Sequence, residues 1–294
     1  MLPAPTLPTD RALNAEVERF SEGFRTLFPR ADQHRRFVAY LTGLLTPGER
    51  SNAEGIAGRV AGFAPPGADL RQSLQHFLSR SPWDAGRLVA ECRRLLAAHR
   101  PGPASAWVVH DAVFAKRGRH SVGVYRQFAR DRGTKLNCQV GVVVGLAGPA
   151  GYAPQAVRLY LPGGWLRDYP GLAERTVPAE HRRPLGKGEI ALALLDEVLA
   201  DGRPSPGLLA AEAGYESSPG WDEAMRQRGL ARPADAAGWL ATAGTAFDAL
   251  RTGFGLDHFE GRTWAGWHHH VALVLTAFTF RTLGEGVKPL TGAG

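Results

Sequence analysis

The chain has 294 residues, 44% of them hydrophobic and 21% charged, with a formal net charge of +7, a length that can hold one large domain or two modest ones around a sizeable core. Its longest apolar run, Val271 to Phe280, is too short to cross a bilayer, and the opening MLPAPTLPTDR has neither a basic n-region nor an apolar h-region, so a soluble, cytoplasmic protein without a membrane partner is expected. Two cysteines, Cys92 and Cys138, exclude a disulfide framework and a four-thiolate zinc site, and they read as buried thiols.

Residues 11 to 100 read as helical, with apolar positions at three- and four-residue spacing in Phe20, Phe24, Leu27 and then Phe37, Tyr40, Leu41, Leu44. The turn Thr46 to Arg50 precedes a short helix that Ser51 or Asn52 could cap. A Pro/Gly linker, His99 to Pro103, then separates a helical N-terminal domain (1–100) from a second domain (104–285). In the second domain strands are expected at Trp107 to Phe114, Val122 to Phe128, Gln139 to Leu146 and Ala156 to Leu161, followed by the loop PGGWLRDYP. An amphipathic helix follows at Glu189 to Leu199, then a strand at Pro206 to Glu212, and helices at Trp221 to Arg228, Trp239 to Arg251 and Trp264 to about Thr282. Strands, then alternation, then helices define an α/β class with a mixed sheet flanked by helices.

The basic residues are nearly all Arg, whose planar fork suits phosphate, although composition drift produces the same excess. Arg117, Arg119, Arg126, Arg130 and Arg132, interleaved with Tyr125 and Phe128, form a candidate phosphate-tracking segment or a solvated face. Neither a Walker-type phosphate loop nor a Gly-x-Ser-x-Gly elbow is present, so nucleotide hydrolysis and serine-hydrolase chemistry have no support.

The densest concentration of acids, bases and aromatics is Gly255 to His270, GLDHFEGRTWAGWHHH. It resembles the C-terminal motif of the DDE transposases of bacterial insertion sequences, whose ribonuclease H-like domain ends in a long helix carrying Gly-Trp-x-x-His. HRRFVAYLTGLLTPGERSNAEGIA (His34 to Ala57) and LQHFLSRSPWD (Leu74 to Asp84) resemble the same family's amino-terminal signature, and Arg50-Ser51-Asn52 stands where relatives carry Arg-Lys-Asn. HSVGVYRQF, NCQVGV, RLYLPGGW and EAGY follow in the family's order. The resemblance implies a ribonuclease H-like fold and three carboxylates that hold two divalent ions for in-line attack on a phosphodiester.

The chain departs from that pattern at the acids. Alignment on Phe114 and Lys116 puts His110 at the first acid, with Asp111 beside it. The second acid becomes Glu212 in Glu212-Ala213-Gly214-Tyr215, and counting eleven residues back from Gly255 puts Gly244 at the third. Only 31 residues lie between Glu212 and Gly244, so the family's usual insertion is absent. With two ligands replaced, no bound metal and no cofactor are expected.

Three readings follow: a transposase-derived DNA-binding protein unable to cut, a repurposed enzyme doing metal-free acid/base or transfer chemistry on a small molecule, or a decayed remnant or residual nuclease. For the second, the candidate catalytic set is His110, Asp111, Glu212, Tyr215, His258 and His269, with His110 and Glu212 expected within hydrogen-bond reach. Adjacent strand residues alternate, so Asp111 is expected to face away from His110. His268, His269 and His270, about 100° apart around a helix, cannot converge on one ion.

Overall fold

The computed structural model describes residues 10–63, 67–97, 105–149 and 151–284, and the expected linker His99 to Pro103 lies outside the described residues. The chain divides into two compact units: Met1–His99 with Ala249–Gly261 and Ala265–Gly294, and Arg100–Asp248 with Arg262–Trp264. The GLDHFEG segment and most of the last helix therefore belong with the N-terminal helices, whereas their position along the chain suggests the second domain.

In the first unit, α1 (Asp10–Glu22), α2 (Ala31–Leu45), α3 (Ala53–Arg59), α4 (Leu70–Ser79) and α5 (Ala85–Leu96) precede a return of the chain in α11 (Trp264–Gly284). The apolar spacing of α2 puts Phe37, Tyr40, Leu41 and Leu44 inside, and burying each large apolar side chain contributes about 1.5–3 kcal/mol. Asn52, rather than Ser51, caps α3 by accepting the Gly55 N–H at 2.9 Å. Asp69 and Asp84 cap α4 and α5 in the same way. Gly43 lets α2 approach α3 closely, since a Cβ there would sit 2.5 Å from Ile56.

The second unit is built on a five-stranded mixed sheet ordered β2-β3-β1-β5, with β4 also paired to β3. Its strands are β1 (Ala106–Ala115), β2 (Tyr125–Ala129), β3 (Thr134–Gly148), β4 (Gly151–Tyr160) and β5 (Leu209–Ala211). β1 runs antiparallel to β3 and parallel to β5. One face of the sheet packs Trp107, Val109, Val142 and Val144 against Ile190, Leu194, Leu195 and Val198 of α8 (Lys187–Leu199). The remaining helices are α6 (Gly163–Asp168), α7 (Pro170–Thr176), α9 (Trp221–Gln227) and α10 (Ala236–Phe254).

Several expectations shift, with β4 beginning at Gly151 rather than Ala156 and β5 confined to Leu209–Ala211 rather than Pro206 to Glu212. β2 starts at Tyr125 rather than Val122, because Gly123 has φ +67° and the Val122 N–H donates to Arg262 O instead of to a ladder. β3 is longer than Gln139 to Leu146, since its first residues pair with β2 and the rest with β1 and β4. The expected loop PGGWLRDYP forms α6 and the start of α7, nucleated by the fully buried Trp165 and by Pro170 at the first helical position.

Candidate functional site

Strand alternation sends Trp107, Val109 and Asp111 toward α8, so an acid ends a row of apolar side chains. The Asp111 carboxylate is 3% exposed, and both of its oxygens are engaged. Tyr215 O–H donates to Oδ1 at 2.7 Å, and Lys187 Nζ donates to Oδ2 at 2.5 Å. Lys187 opens α8 and lies 5.4 Å over the Tyr160 ring. Burial and the Asp111 charge together hold the Tyr215 phenol well above its ordinary range.

Glu212 follows β5, where its Oε2 accepts the Asp111 N–H at 2.8 Å and so supplies the next rung of the β1 edge with a side chain. Arg130 lies against the same turn, since a Cβ on Gly214 would collide with its guanidinium. Burial, the largest cause, and the Asp111 charge raise the Glu212 carboxyl, against the Asp111 N–H and the Arg130 and Lys187 charges. A raised carboxyl binds its proton more readily folded than unfolded, so stability falls as pH rises from about 4.5 through the folded value. Glu212→Gln, which keeps an acceptor for the Asp111 N–H, is expected to remove that decline. Urea unfolding between pH 4.5 and 7 checks it; an unchanged slope would refute the assignment.

His110 points to the other face of β1, as alternation requires. Its Nε2 lies 2.9 Å from the Tyr152 hydroxyl, and its ring meets the Phe247 ring edge-on at 4.7 Å. Tyr152 reaches it across Gly145, where any Cβ would collide with the phenol. Continuing the β1–β5 register past Val109 and Ala211 makes His110 and Glu212 neighbours. Each side chain has taken a different partner, Tyr152 for one and the Asp111 N–H for the other. Sequence reading missed Tyr152, Phe247 and Lys187. Only Lys187 left a signal: a Lys in the first turn of a helix opposes the helix dipole, which points to a nearby acid.

The donor set does not fit the divalent ions that the family resemblance implies. Asp111 has both oxygens occupied by protein donors, His110 offers nitrogen where a hard cation takes oxygen, and Gly244 is an exposed position on α10 with nothing within 4 Å of an added Cβ. Among the described residues no group of three His, Cys, Asp or Glu side chains is placed to hold a metal.

His258 and His269 lie in the first unit. Ser51 N–H donates to His258 Nδ1 at 3.0 Å. Gly255, at φ +65°, admits this contact, since a Cβ there would sit 2.5 Å from both His258 Nδ1 and Ser51 Cβ. His269 Nδ1 is 2.6 Å from Leu78 O, its Nε2 is 2.8 Å from Trp83 O, and its ring stacks on Trp83 at 3.7 Å. His270 bridges Tyr40 O–H and Gly255 O, each at 3.0 Å. His269 and His270 thus diverge, as helix geometry requires. GLDHFEG and the histidine helix meet the two N-terminal signature stretches in one buried polar joint. Burial pushes the Cys92 and Cys138 thiols up to about 11.

The five arginines are all exposed: Arg117 and Arg119 in the β1–β2 connection, Arg126 on β2, and Arg130 and Arg132 in the turn that follows. From Lys116 to Lys135 the chain carries seven Lys or Arg against one acid, Asp131, a net of +6 against +7 for the whole chain. Arg126 and Phe128 share the outward face of β2, and Phe128, at 48% exposure, is the one large apolar side chain left in solvent among the described residues.

A mixed sheet with a parallel β1–β5 pair, acids at the end of that pair and helices on the flanks is the ribonuclease H-like plan of phosphodiester-processing proteins. The match to the DDE superfamily endonuclease family spans residues 23–235, and the chain belongs to that family. The matched residues include His110, Asp111 and Glu212 and stop short of Gly244. The chain is also similar to the probable transposase for insertion sequence element IS701 of Microchaete diplosiphon, 27% identical over 142 residues, which are 48% of this chain and 35% of that protein. It therefore matches about a third of that relative's length. No solved structure matches it. Among the described residues no helix is long and apolar enough to cross a membrane.

Proposed function

We propose that this chain is a transposase-derived protein that binds DNA without cutting it. The observation that carries the reading is the exposed strip around β2, where nearly the whole net charge of the chain surrounds a solvent-facing aromatic. Guanidinium groups neutralise phosphates and release counterions, and an exposed ring offers a face on which an unpaired base stacks. The loss of cleavage is supported by the donor set: His110 and Gly244 stand where ligands are needed, and the surviving acids are held by Lys187, Tyr215 and a backbone N–H. The alternative, acid/base chemistry by a His110–Glu212 couple, draws no support from two side chains that pair elsewhere.

Supercoiled plasmid incubated with the purified protein and magnesium or manganese is expected to remain closed on an agarose gel. Metal-dependent nicking that disappears in Glu212→Ala would overturn the non-cleaving half of the proposal. Fluorescence anisotropy of a labelled duplex tests the binding half, with affinity falling steeply as salt rises. Failure to bind at low salt would overturn it.

A further inference from the structure

We infer that Lys187 is the built-in cation of the acid pair: its ammonium, tethered at the head of α8 and bound to Asp111, fills the electrostatic role of a divalent ion and closes the site to metal.

The charges facing one another here are Asp111, Glu212, Lys187 and Arg130. A carboxylate as deeply buried as Asp111 is not tolerated without a partner, because removing one member of a buried pair leaves an uncompensated charge. In the family's chemistry that partner is a hard cation with oxygen ligands. Here the partner is part of the chain. The Lys187 side chain is 27% exposed, crosses the Tyr160 ring and ends on Asp111 Oδ2, while Tyr215 O–H fills Oδ1.

An ion entering this site would have to displace Lys187, strip part of its own hydration and manage with one further carboxylate, Glu212, which already accepts the Asp111 N–H. The tethered ammonium bears no such costs of association and dehydration at each binding event. The placement of Lys187 also argues for this role. A cation in the first helical turn is disfavoured by the helix dipole, and Glu189, which reaches back to the Gly186 N–H at 2.6 Å, is the residue type that the turn prefers. The position is explained by the acid it meets on β1, 76 residues earlier.

The inference goes beyond the proposed function, since it concerns what occupies the acid site, and DNA binding through the arginine strip does not depend on it. The test is metal binding by the full chain. Manganese is titrated and the free ion followed by electron paramagnetic resonance, with thermal melting in magnesium and manganese alongside. The wild type and Lys187→Arg are expected to show neither site-specific binding nor a metal-induced rise in melting temperature. Lys187→Ala is expected to gain a site that Asp111→Asn abolishes, its melting temperature rising by roughly 5–10 °C at about 100 times the dissociation constant.

Tight manganese binding by the wild type that is lost in Asp111→Asn would overturn the proposal, as would a folded Lys187→Ala whose melting ignores both ions. Should Lys187→Ala fold only when manganese is present, the expected dependence is met directly. Should it fail to fold with or without metal, the pair variant Asp111→Asn/Lys187→Met decides the matter. A folded, metal-indifferent pair variant supports mutual neutralisation, and an unfolded one overturns it. Plasmid nicking is scored separately, so cleavage by the wild type would strike the proposed function while the titration reports on Lys187.

Discussion

Replacing Arg117, Arg119, Arg126, Arg130 and Arg132 together by alanine is expected to abolish most DNA binding while leaving the fold intact. Each phosphate neutralised contributes about 0.9 to the slope of log affinity against log salt, so a surface using all five should lose roughly 500-fold in affinity between about 50 and 200 mM salt. Removing the five should flatten that slope by about 4.5. The arginines are exposed, and surface substitutions of this kind usually change stability by less than about 0.5 kcal/mol each. Arg130 is the exception to watch, because it also lies against the Gly214 turn and lowers the Glu212 carboxyl. Anisotropy titrations at four salt concentrations, with circular dichroism to confirm folding, provide the measurement. An unchanged slope in the fivefold variant would move the binding surface elsewhere, and the helical first unit would then be tested by the same subtraction. Phe128→Ala adds a second arm: it should weaken single-stranded more than duplex binding, since stacking on an exposed ring requires an unpaired base.

The largest expected loss of stability comes from His269→Ala. The substitution removes the one N–H that the neutral ring donates to Leu78 O or Trp83 O, and a buried carbonyl left without its donor costs about 1–3 kcal/mol. It also removes the ring stacked on Trp83. A total of about 2–4 kcal/mol places it well above the centre of the single-substitution range, with a fall in melting temperature of roughly 5–15 °C. Burial opposes a charge on this ring, and a neutral imidazole donates from one nitrogen only, so the ring hydrogen-bonds one of the two carbonyls at a time. Denaturant unfolding of His269→Ala, Trp83→Ala and the double variant would resolve the stacked pair as a coupling of about 0.5–3 kcal/mol. A loss below about 1 kcal/mol in His269→Ala would show that the joint is not holding the first unit together.

That joint explains why the histidine run resembles chemistry in the sequence. Three histidines beside Asp257 and Glu260 have the composition of an acid/base set, yet His269 and His270 are spent on backbone carbonyls and a tyrosine, and His258 on the Ser51 N–H. Their partners lie 191, 186, 230 and 207 residues away for the Leu78, Trp83, Tyr40 and Ser51 contacts. Composition and helical spacing carry no information about such distances. The two N-terminal signature stretches and the C-terminal motif are legible as parts of one family pattern, but not as parts of one folding unit.

Legible in the sequence alone is whatever local physics encodes. The 3.6-residue spacing of Phe37, Tyr40, Leu41 and Leu44 specifies α2, the apolar runs of β1 and β3 specify buried strands, and the expectation at His110, Glu212 and Gly244 is read off residue types against the pattern that the resemblance implies. Period-two alternation by itself likewise puts Asp111 and His110 on opposite faces of a strand. The tertiary structure decided which side chain each of these residues meets. Lys187 lies against Asp111 because the parallel β1–β5 sheet packs on α8, and Tyr152 reaches His110 because β4 lays its ring over Gly145. Charge pairing and hydrogen bonding act over a few ångströms of space, and only the path of the chain through the sheet brings residues tens of positions apart within that range.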